Sequence, residues 1–425
     1  MRIAGALIAW SLALAPAAAA EFDACVSKLR EEAVGKGVDA TVFDTALSGV
    51  EPDQSVLDAM QAQPEFVTPI WDYLAALVDE ERIADGRAML AQWGSVFADA
   101  EQRYGIDRHV IAAVWGVESN FGRNLGGRPL VRSLATVSCF GHRQRFFRGE
   151  LLAVLRILQS GDMPAEALKG SWAGAFGQTQ FMPSTYQRLA VDFDGDGRRD
   201  IVASVPDAIG STANFLARAG WQTGEPWGYE VRLPASYGGP SGRRNKQPLA
   251  KWNALGITRI DGSPLTGGGP AALLLPSGAT GPAFVVFRNF DAIYSYNAAE
   301  SYALAIAHLS DRLRGAGPFT TAWPTDDPGI SRAQRKELQQ LLLDRGYAIG
   351  AADGAIGPRT RAAIQSFQAT AGLQPDGRAG MKVLNALKAQ PPENRGQTPI
   401  QPGSDPMENR GQTPIAPGSD PATPP

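Results

Sequence analysis

Glu118 is the residue in this sequence best placed to do chemistry. It sits in the run Val114-Trp115-Gly116-Val117-Glu118-Ser119-Asn120-Phe121-Gly122-Arg123, near the end of an otherwise apolar helical stretch. Asp107 reads as an N-cap, and Val110, Ile111, Val114 and Val117 recur at helical spacing. Glu118 follows Val114 by four residues, so it projects from the face that should be buried. Gly122 and Gly126-Gly127 predict that the helix ends just beyond it. Burial and the negative end of the helix dipole both favour the protonated acid. A glutamate tuned that way is a general acid near neutral pH. The residue alone also fits a solvent-facing glutamate or a partner for Arg123.

Three further stretches offer groups for a ligand. In Gly170-Ser171-Trp172-Ala173-Gly174-Ala175-Phe176-Gly177-Gln178-Thr179-Gln180-Phe181-Met182-Pro183, small residues allow close backbone approach. Ser171, Gln178 and Gln180 supply neutral hydrogen-bonding groups beside Phe181 and Met182, a mixture suited to a polyhydroxylated, N-acetylated ligand. A tight helix–helix contact would use the same small residues. In Asp192-Phe193-Asp194-Gly195-Asp196-Gly197-Arg198, carboxylates at loop positions one, three and five with glycine at six match the first half of a calcium-binding loop. Position twelve is Ala203 rather than glutamate, so Asp207 is the candidate to close a longer loop, with Arg198 giving only its backbone carbonyl. The alternative is a solvated acidic turn. Tyr294-Ser295-Tyr296-Asn297 with Tyr302 joins aromatic faces to an amide at a helix start, which suits sugar stacking or a capped core helix.

The elements that must position these groups are mostly helical. Helices are expected at Val26–Val34, Val56–Met60, Tyr73–Tyr104 and Phe146–Gln159, the last with a stripe of Leu151, Leu152, Leu155 and Leu158. From Gly224 to Asn289 glycine and proline become dense around short β-prone runs, which reads as a small β-rich insertion. Helix returns over Ala298–Arg314, followed by a linker at 316–328. Residues 329–388 form a second unit with an internal echo, Asp353-Gly354 and Asp376-Gly377 each preceding a short helix. In the tail at 389–425, Glu393–Ile400 reappears as Glu408–Ile415 in a Pro/Gly/Ser-rich context that cannot bury a core.

Composition narrows the partners. A net charge of −3 gives no basic field for nucleic acid, and 44% hydrophobic residues over 425 support a sizeable core. Residues 1–20 have the basic start, apolar stretch and small-residue end of a secretory signal peptide, cut before Glu21, with no later run of membrane-spanning length. An exported, soluble, monomeric periplasmic protein is expected. In that oxidising compartment its two cysteines, Cys25 and Cys139, are expected to pair.

Taken together and in order, these stretches resemble the membrane-bound lytic transglycosylase B family of peptidoglycan-cleaving enzymes. The similarity rests on Gly116-Val117-Glu118-Ser119 with Phe121-Gly122, Ser171-Trp172-Ala173-Gly174 through Pro183, the Asp192 loop with Asp207-Ala208-Ile209-Gly210, and Tyr296-Asn297 with Tyr302. Residues 329–388 are similar to peptidoglycan-binding domains with paired Asp-Gly turns. The resemblance implies a mainly α, lysozyme-like catalytic domain over 21–315, with the β-rich insertion at 224–289. It implies Glu118 as the single catalytic acid and Ser171, Gln180, Asn297 and Tyr302 along a glycan groove. The family's better-known members carry a tyrosine where this chain has Phe215. Calcium, if held, would be structural, and the chemistry needs no cofactor. A hydrolytic muramidase using a second carboxylate such as Glu150, or a non-catalytic wall-binding protein, are the alternatives.

Overall fold

The computed structural model describes residues 14–61 and 68–390, so most of the signal segment and all of the repeated tail beyond 390 lie outside the described residues. Seventeen α-helices and six short strands make up the described chain, the mainly α architecture expected. The chain divides into two compact units, one of residues up to 61 with 125–208, the other of residues 68–124 with 209–390.

The first unit is built round the helices Leu130–Phe140 and Gln144–Ser160, which pack on each other. Leu151, Leu155, Val154 and Ile157 fill their interface, together with Leu134 and Val137. The helices Leu14–Gly35, Ala40–Leu47 and Gln54–Gln61 lie against this pair. Ala40–Leu47 has no counterpart among the elements expected from the sequence, because eight residues span too few turns for periodicity to declare a helix. Cys25 and Cys139 form a disulfide across a sequence separation of 114 residues, joining two helices. Cys139 lies in the last turn of Leu130–Phe140.

In the second unit the expected helix from Tyr73 to Tyr104 is three helices: Ile70–Leu77, Glu80–Gln92 and Gly94–Tyr104. Asp79 accepts from the Arg82 amide and restarts the second helix, and Trp93 divides the second from the third. The helix Arg108–Ser119 packs chiefly on Glu300–Arg314 and also on Glu80–Gln92. Gly86 and Gly116 permit this closeness. A Cβ on Gly86 would fall 2.6 Å from the Leu313 side chain, and one on Gly116 would fall 2.7 Å from the Phe121 ring.

The β-rich insertion is an antiparallel sheet in the order Thr258–Arg259, Gly228–Arg232, Ala283–Val286, Ala272–Leu274. Both faces are covered, which is why Ala283–Val286 is apolar throughout rather than alternating. Trp252, Phe287 and Leu273 pack one face, and Trp227 and Phe290 pack by Phe284 on the other. The region ends earlier than expected, because Arg288–Asn297 is already helical.

Residues 330–387 enclose their own core of Ile330, Leu338, Leu342, Ile364, Phe367 and Leu384. The internal echo uses one hydrogen-bonding device twice. Gln339 donates to Asp353 and accepts from the Gly354 amide, and Gln368 does the same with Asp376 and Gly377. Both glycines have positive φ, 84° and 73°. Arg378, after the second turn, grips Asp72 through two 2.6 Å contacts.

No helix among the described residues is long and apolar enough to cross a membrane. The disulfide closes a loop of over a hundred residues, so replacing both cysteines with serine is expected to cost about 2–5 kcal/mol, read as a lower urea midpoint under non-reducing conditions.

Candidate active site

The Glu118 helix starts as the sequence requires: the Asp107 carboxylate accepts from the His109 amide at 2.8 Å. Its end is more elaborate than a glycine stop. Asn120, Phe121 and Gly122 all have left-handed backbone, with φ of 52°, 58° and 78°. This turns Phe121 back onto its own helix, against Gly116 and edge-on to Trp115 at 5.6 Å. The Ser119 hydroxyl accepts from the Gly122 amide, and the Ser119 carbonyl accepts from the Asn124 amide. The terminal turn that carries Glu118 is therefore fixed on both sides.

Glu118 is buried, 8% exposed. Arg123 does not pair with it and instead engages Asp85. The direct partner of Glu118 is Tyr302, whose hydroxyl donates to Oε1. Glu118 Oε2 is buried and has no hydrogen-bond partner among the described residues. Removal from water pushes the carboxyl up to about 8, against the smaller opposing effect of the Tyr302 hydroxyl. The Tyr302 hydroxyl is itself pushed well up by burial and by the adjacent carboxyl, so it stays a donor. At neutral pH Glu118 thus carries a proton, with Oε1 occupied and Oε2 the atom able to pass the proton on.

Tyr296 stacks near Tyr302, ring centroids 6.3 Å apart and planes within 18°. Phe215, where a tyrosine hydroxyl was expected to be missing, packs against Tyr296 at 4.5 Å. Asn297 is the last residue of Arg288–Asn297 and is half-buried. Glu118, Tyr296, Asn297 and Tyr302 all belong to the second unit. The sequence marked Tyr302 as a groove position; its direct bond to the acid had no signal, because 184 residues separate the two.

The first unit holds the remaining candidates. Residues 170–181 form a knot of short bridges, Gly170 pairing with Phe176 and Phe176 with Phe181. The Ser171 hydroxyl accepts from the Ala175 amide at 3.0 Å. Gln180, at φ 51°, gives both amide protons to backbone, to Gly177 and Leu125 carbonyls, which leaves its Oε1 to accept from a ligand. Gln178 donates to the Val202 carbonyl, and Phe181 is 2% exposed and sits in the core, while Met182 is half-buried. Glu150 is not a spare carboxylate: its two oxygens accept from the Ser184 amide and hydroxyl and cap the helix Pro183–Leu189.

Asp192, Asp194 and Asp196 bring carboxylate oxygens within 4.8 Å of one another. Asp207 closes the loop by another route. Its Oδ1 accepts from the Phe193 and Asp194 amides and its Oδ2 from the Asp200 amide. The Arg198 amide donates to Asp196. Three like charges with hard oxygen donors fit a calcium ion, and Asp207 shapes the loop that gathers them.

A helical frame of this kind around one buried acid defines a lysozyme-like class of protein. The chain belongs to the transglycosylase SLT-domain family, whose model matches residues 21–311, and residues 331–387 match a peptidoglycan binding domain. Membrane-bound lytic murein transglycosylase B of Escherichia coli K12 is 34% identical over 239 residues, 56% of this chain and 65% of that relative, just under two thirds of its length. SltB3 of Pseudomonas aeruginosa, solved with NAG-anhNAM-pentapeptide, is 45% identical with a TM-score of 0.70, covering 86% of this chain and 99% of that one. Escherichia coli Slt35, solved in complex with calcium, is 31% identical with a TM-score of 0.61, covering 68% and 92%.

The Tyr302 hydroxyl favours ionised Glu118, so Tyr302→Phe is expected to raise the acid's pKa further. If the protonated form is the active one, kcat/KM holds at lower pH and falls as pH rises through about 8. In Tyr302→Phe that alkaline limb should move to higher pH, with kcat/KM at pH 6 about tenfold lower from lost positioning; a pH–rate profile on solubilised glycan strands checks both.

Proposed function

We propose that the chain is a lytic murein transglycosylase, cleaving the β-1,4 bond between N-acetylmuramic acid and N-acetylglucosamine in peptidoglycan. The observation that carries this is the Glu118 carboxyl, protonated at neutral pH, with Oε1 held by Tyr302 and Oε2 unpartnered. Glu118 donates its proton to the glycosidic oxygen, and the C1–O bond breaks with the electron pair leaving on N-acetylglucosamine. The substrate's own 2-acetamido oxygen stabilises C1. Glu118, now a carboxylate, takes the proton from the muramic acid 6-hydroxyl, whose oxygen closes on C1 as a 1,6-anhydro ring. The acid ends protonated again, and no water is consumed. One group can serve both steps because its pKa lies near the working pH. A hydrolase would need a second carboxylate to activate water, and the engagement of Glu150 by Ser184 counts against that reading. The polarised setting of Glu118 likewise counts against a purely wall-binding role.

Ser171, Gln178, Gln180, Met182, Tyr296 and Asn297 are assigned to glycan contacts, with Phe181 supporting them from the core. Residues 21–315 form the catalytic domain and 329–388 a module that holds the enzyme on its insoluble substrate by added avidity. The complexes of the relative SltB3 with NAG-anhNAM-pentapeptide and NAG-NAM-pentapeptide support a peptidoglycan substrate for this chain. An exported periplasmic monomer after removal of residues 1–20 is consistent with a peptidoglycan substrate.

Asp192, Asp194 and Asp196, with the Arg198 backbone carbonyl and with Asp207 closing the loop, are assigned to a structural calcium. Adding 1 mM calcium to metal-stripped protein should raise its melting temperature, Asp194→Asn should abolish the rise, and cleavage chemistry should persist in both.

Mass spectrometry of products from purified sacculi tests the reaction. Wild type should release 1,6-anhydromuropeptides, and Glu118→Gln should lower the rate by about 10²–10⁴-fold. Reducing-end products one water heavier would replace this reading with hydrolysis.

A further inference from the structure

Beyond Asn297 the second unit contains a polar cavity of about 380 Å³ to which the glycan chemistry assigns no task. It is lined by Ser241, Arg243, Arg244, Asn245, Tyr294 and Glu300. The loop that supplies most of it is firmly built. The Gly242 amide donates to the Leu273 carbonyl at 2.7 Å, Gln247 and Ala271 exchange backbone bonds, and the Asn245 amide returns to the Gly242 carbonyl.

Arg243 is set in place with donor capacity to spare. Its guanidinium lies 3.6 Å over the Tyr294 ring centroid, and Nη1 donates to Asp291 at 2.9 Å. Lys246 also claims Asp291, at 2.8 Å, so that carboxylate is neutralised. Arg243 Nε is buried without a hydrogen-bond partner among the described residues. Glu300 Oε1 is 3.9 Å from it, too far to accept its proton. Arg244 is exposed on the same loop. Three cations, Arg243, Arg244 and Lys246, face two carboxylates, Asp291 and Glu300, and the residual field is positive.

A neutral sugar has no use for that field. A peptide carrying free carboxylates and an ammonium group does: an arginine fork binds carboxylate, and Glu300, also in the lining and 3.9 Å from Arg243 Nε, suits the amine. The position is appropriate too. Tyr294 and Asn297 are three apart on one helix and share a face. Glu300 begins the helix whose Tyr302 holds the catalytic acid.

We propose that this cavity is a stem-peptide site, in which Arg243 and Arg244 bind carboxylates of the peptide borne by N-acetylmuramic acid and Glu300 faces its ammonium group. The assignment rests on the peptidoglycan-cleaving reading and adds to it a means of distinguishing peptide-bearing from bare glycan.

The test uses full-length Glu118→Gln protein, which holds substrate without turnover, with and without Arg244→Ala. Calorimetry would compare NAG-NAM-pentapeptide with the same disaccharide lacking its peptide. The parent should prefer the peptide-bearing ligand, and Arg244→Ala should weaken that ligand about tenfold while leaving the bare disaccharide unchanged. An Arg243→Lys variant, which keeps the charge but loses the planar fork, should show an intermediate loss. A parent without preference for the peptide, or an Arg244→Ala loss equal for both ligands, would overturn the proposal. Product mass from wild type is read separately, so a hydrolytic outcome there would overturn the transglycosylase reading and leave this binding difference standing.

Discussion

The second unit is organised by the requirement to bury one carboxyl with, among the described residues, a single hydrogen-bond partner. A carboxylate removed from water is expensive unless several donors surround it. Here the burial of Glu118 is relieved by a proton instead, and Tyr302 takes one oxygen without supplying enough stabilisation to ionise the group. This balance needs two helices locked in register across 184 residues of sequence. Gly86 and Gly116 remove the side chains that would hold the packing apart, and Leu313 and Phe121 fill the space. The left-handed run Asn120–Gly122 serves the same end by folding Phe121 down on Gly116. The motif around Glu118 is thus a packing device as much as a catalytic one.

The polar residues of the first unit follow a different logic. Between 170 and 181 the chain has little regular structure, so side chains must satisfy the backbone. Ser171, Gln178 and Gln180 each bond main-chain atoms first, and only what remains of their hydrogen-bonding capacity is available to a ligand. Asp207 and Glu150 are spent wholly in this way, one tying the acidic loop and the other capping a helix. A buried carboxylate with both oxygens bonded by amides or hydroxyls is a structural group, and that separates these two from Glu118.

Much of this was legible from residue types and spacing. The apolar periodicity through Val117, the Asp107 cap and the β-prone runs after Gly224 each reflect local physics, and the structure follows them. The paired Asp-Gly turns were visible as an echo, though Gln339 and Gln368, which make them alike, were not. What escaped was non-local or weakly patterned. The single helix expected from Tyr73 to Tyr104 concealed two breaks, because Asp79 caps a helix start without any proline to advertise it. Arg123 stood closer in sequence to Glu118 than Tyr302 did, yet pairs with Asp85. Sequence distance is a poor guide to partners once a chain reverses direction at a helix end.

The contrast between Glu118 and Arg243 shows how one kind of observation serves two purposes. Each has a buried polar atom without a partner, Oε2 in one and Nε in the other. For Glu118 the unpartnered atom belongs to a group that sheds its charge, which fits proton transfer to a substrate atom. An arginine serves as a fixed cation rather than a proton donor. The Arg243 guanidinium, held in place by Tyr294 and Asp291, is left as a fixed cation in the lining of the cavity. An acid that must change protonation is given one partner and a dry setting, whereas a cation that must only recognise is given a rigid platform and an open wall.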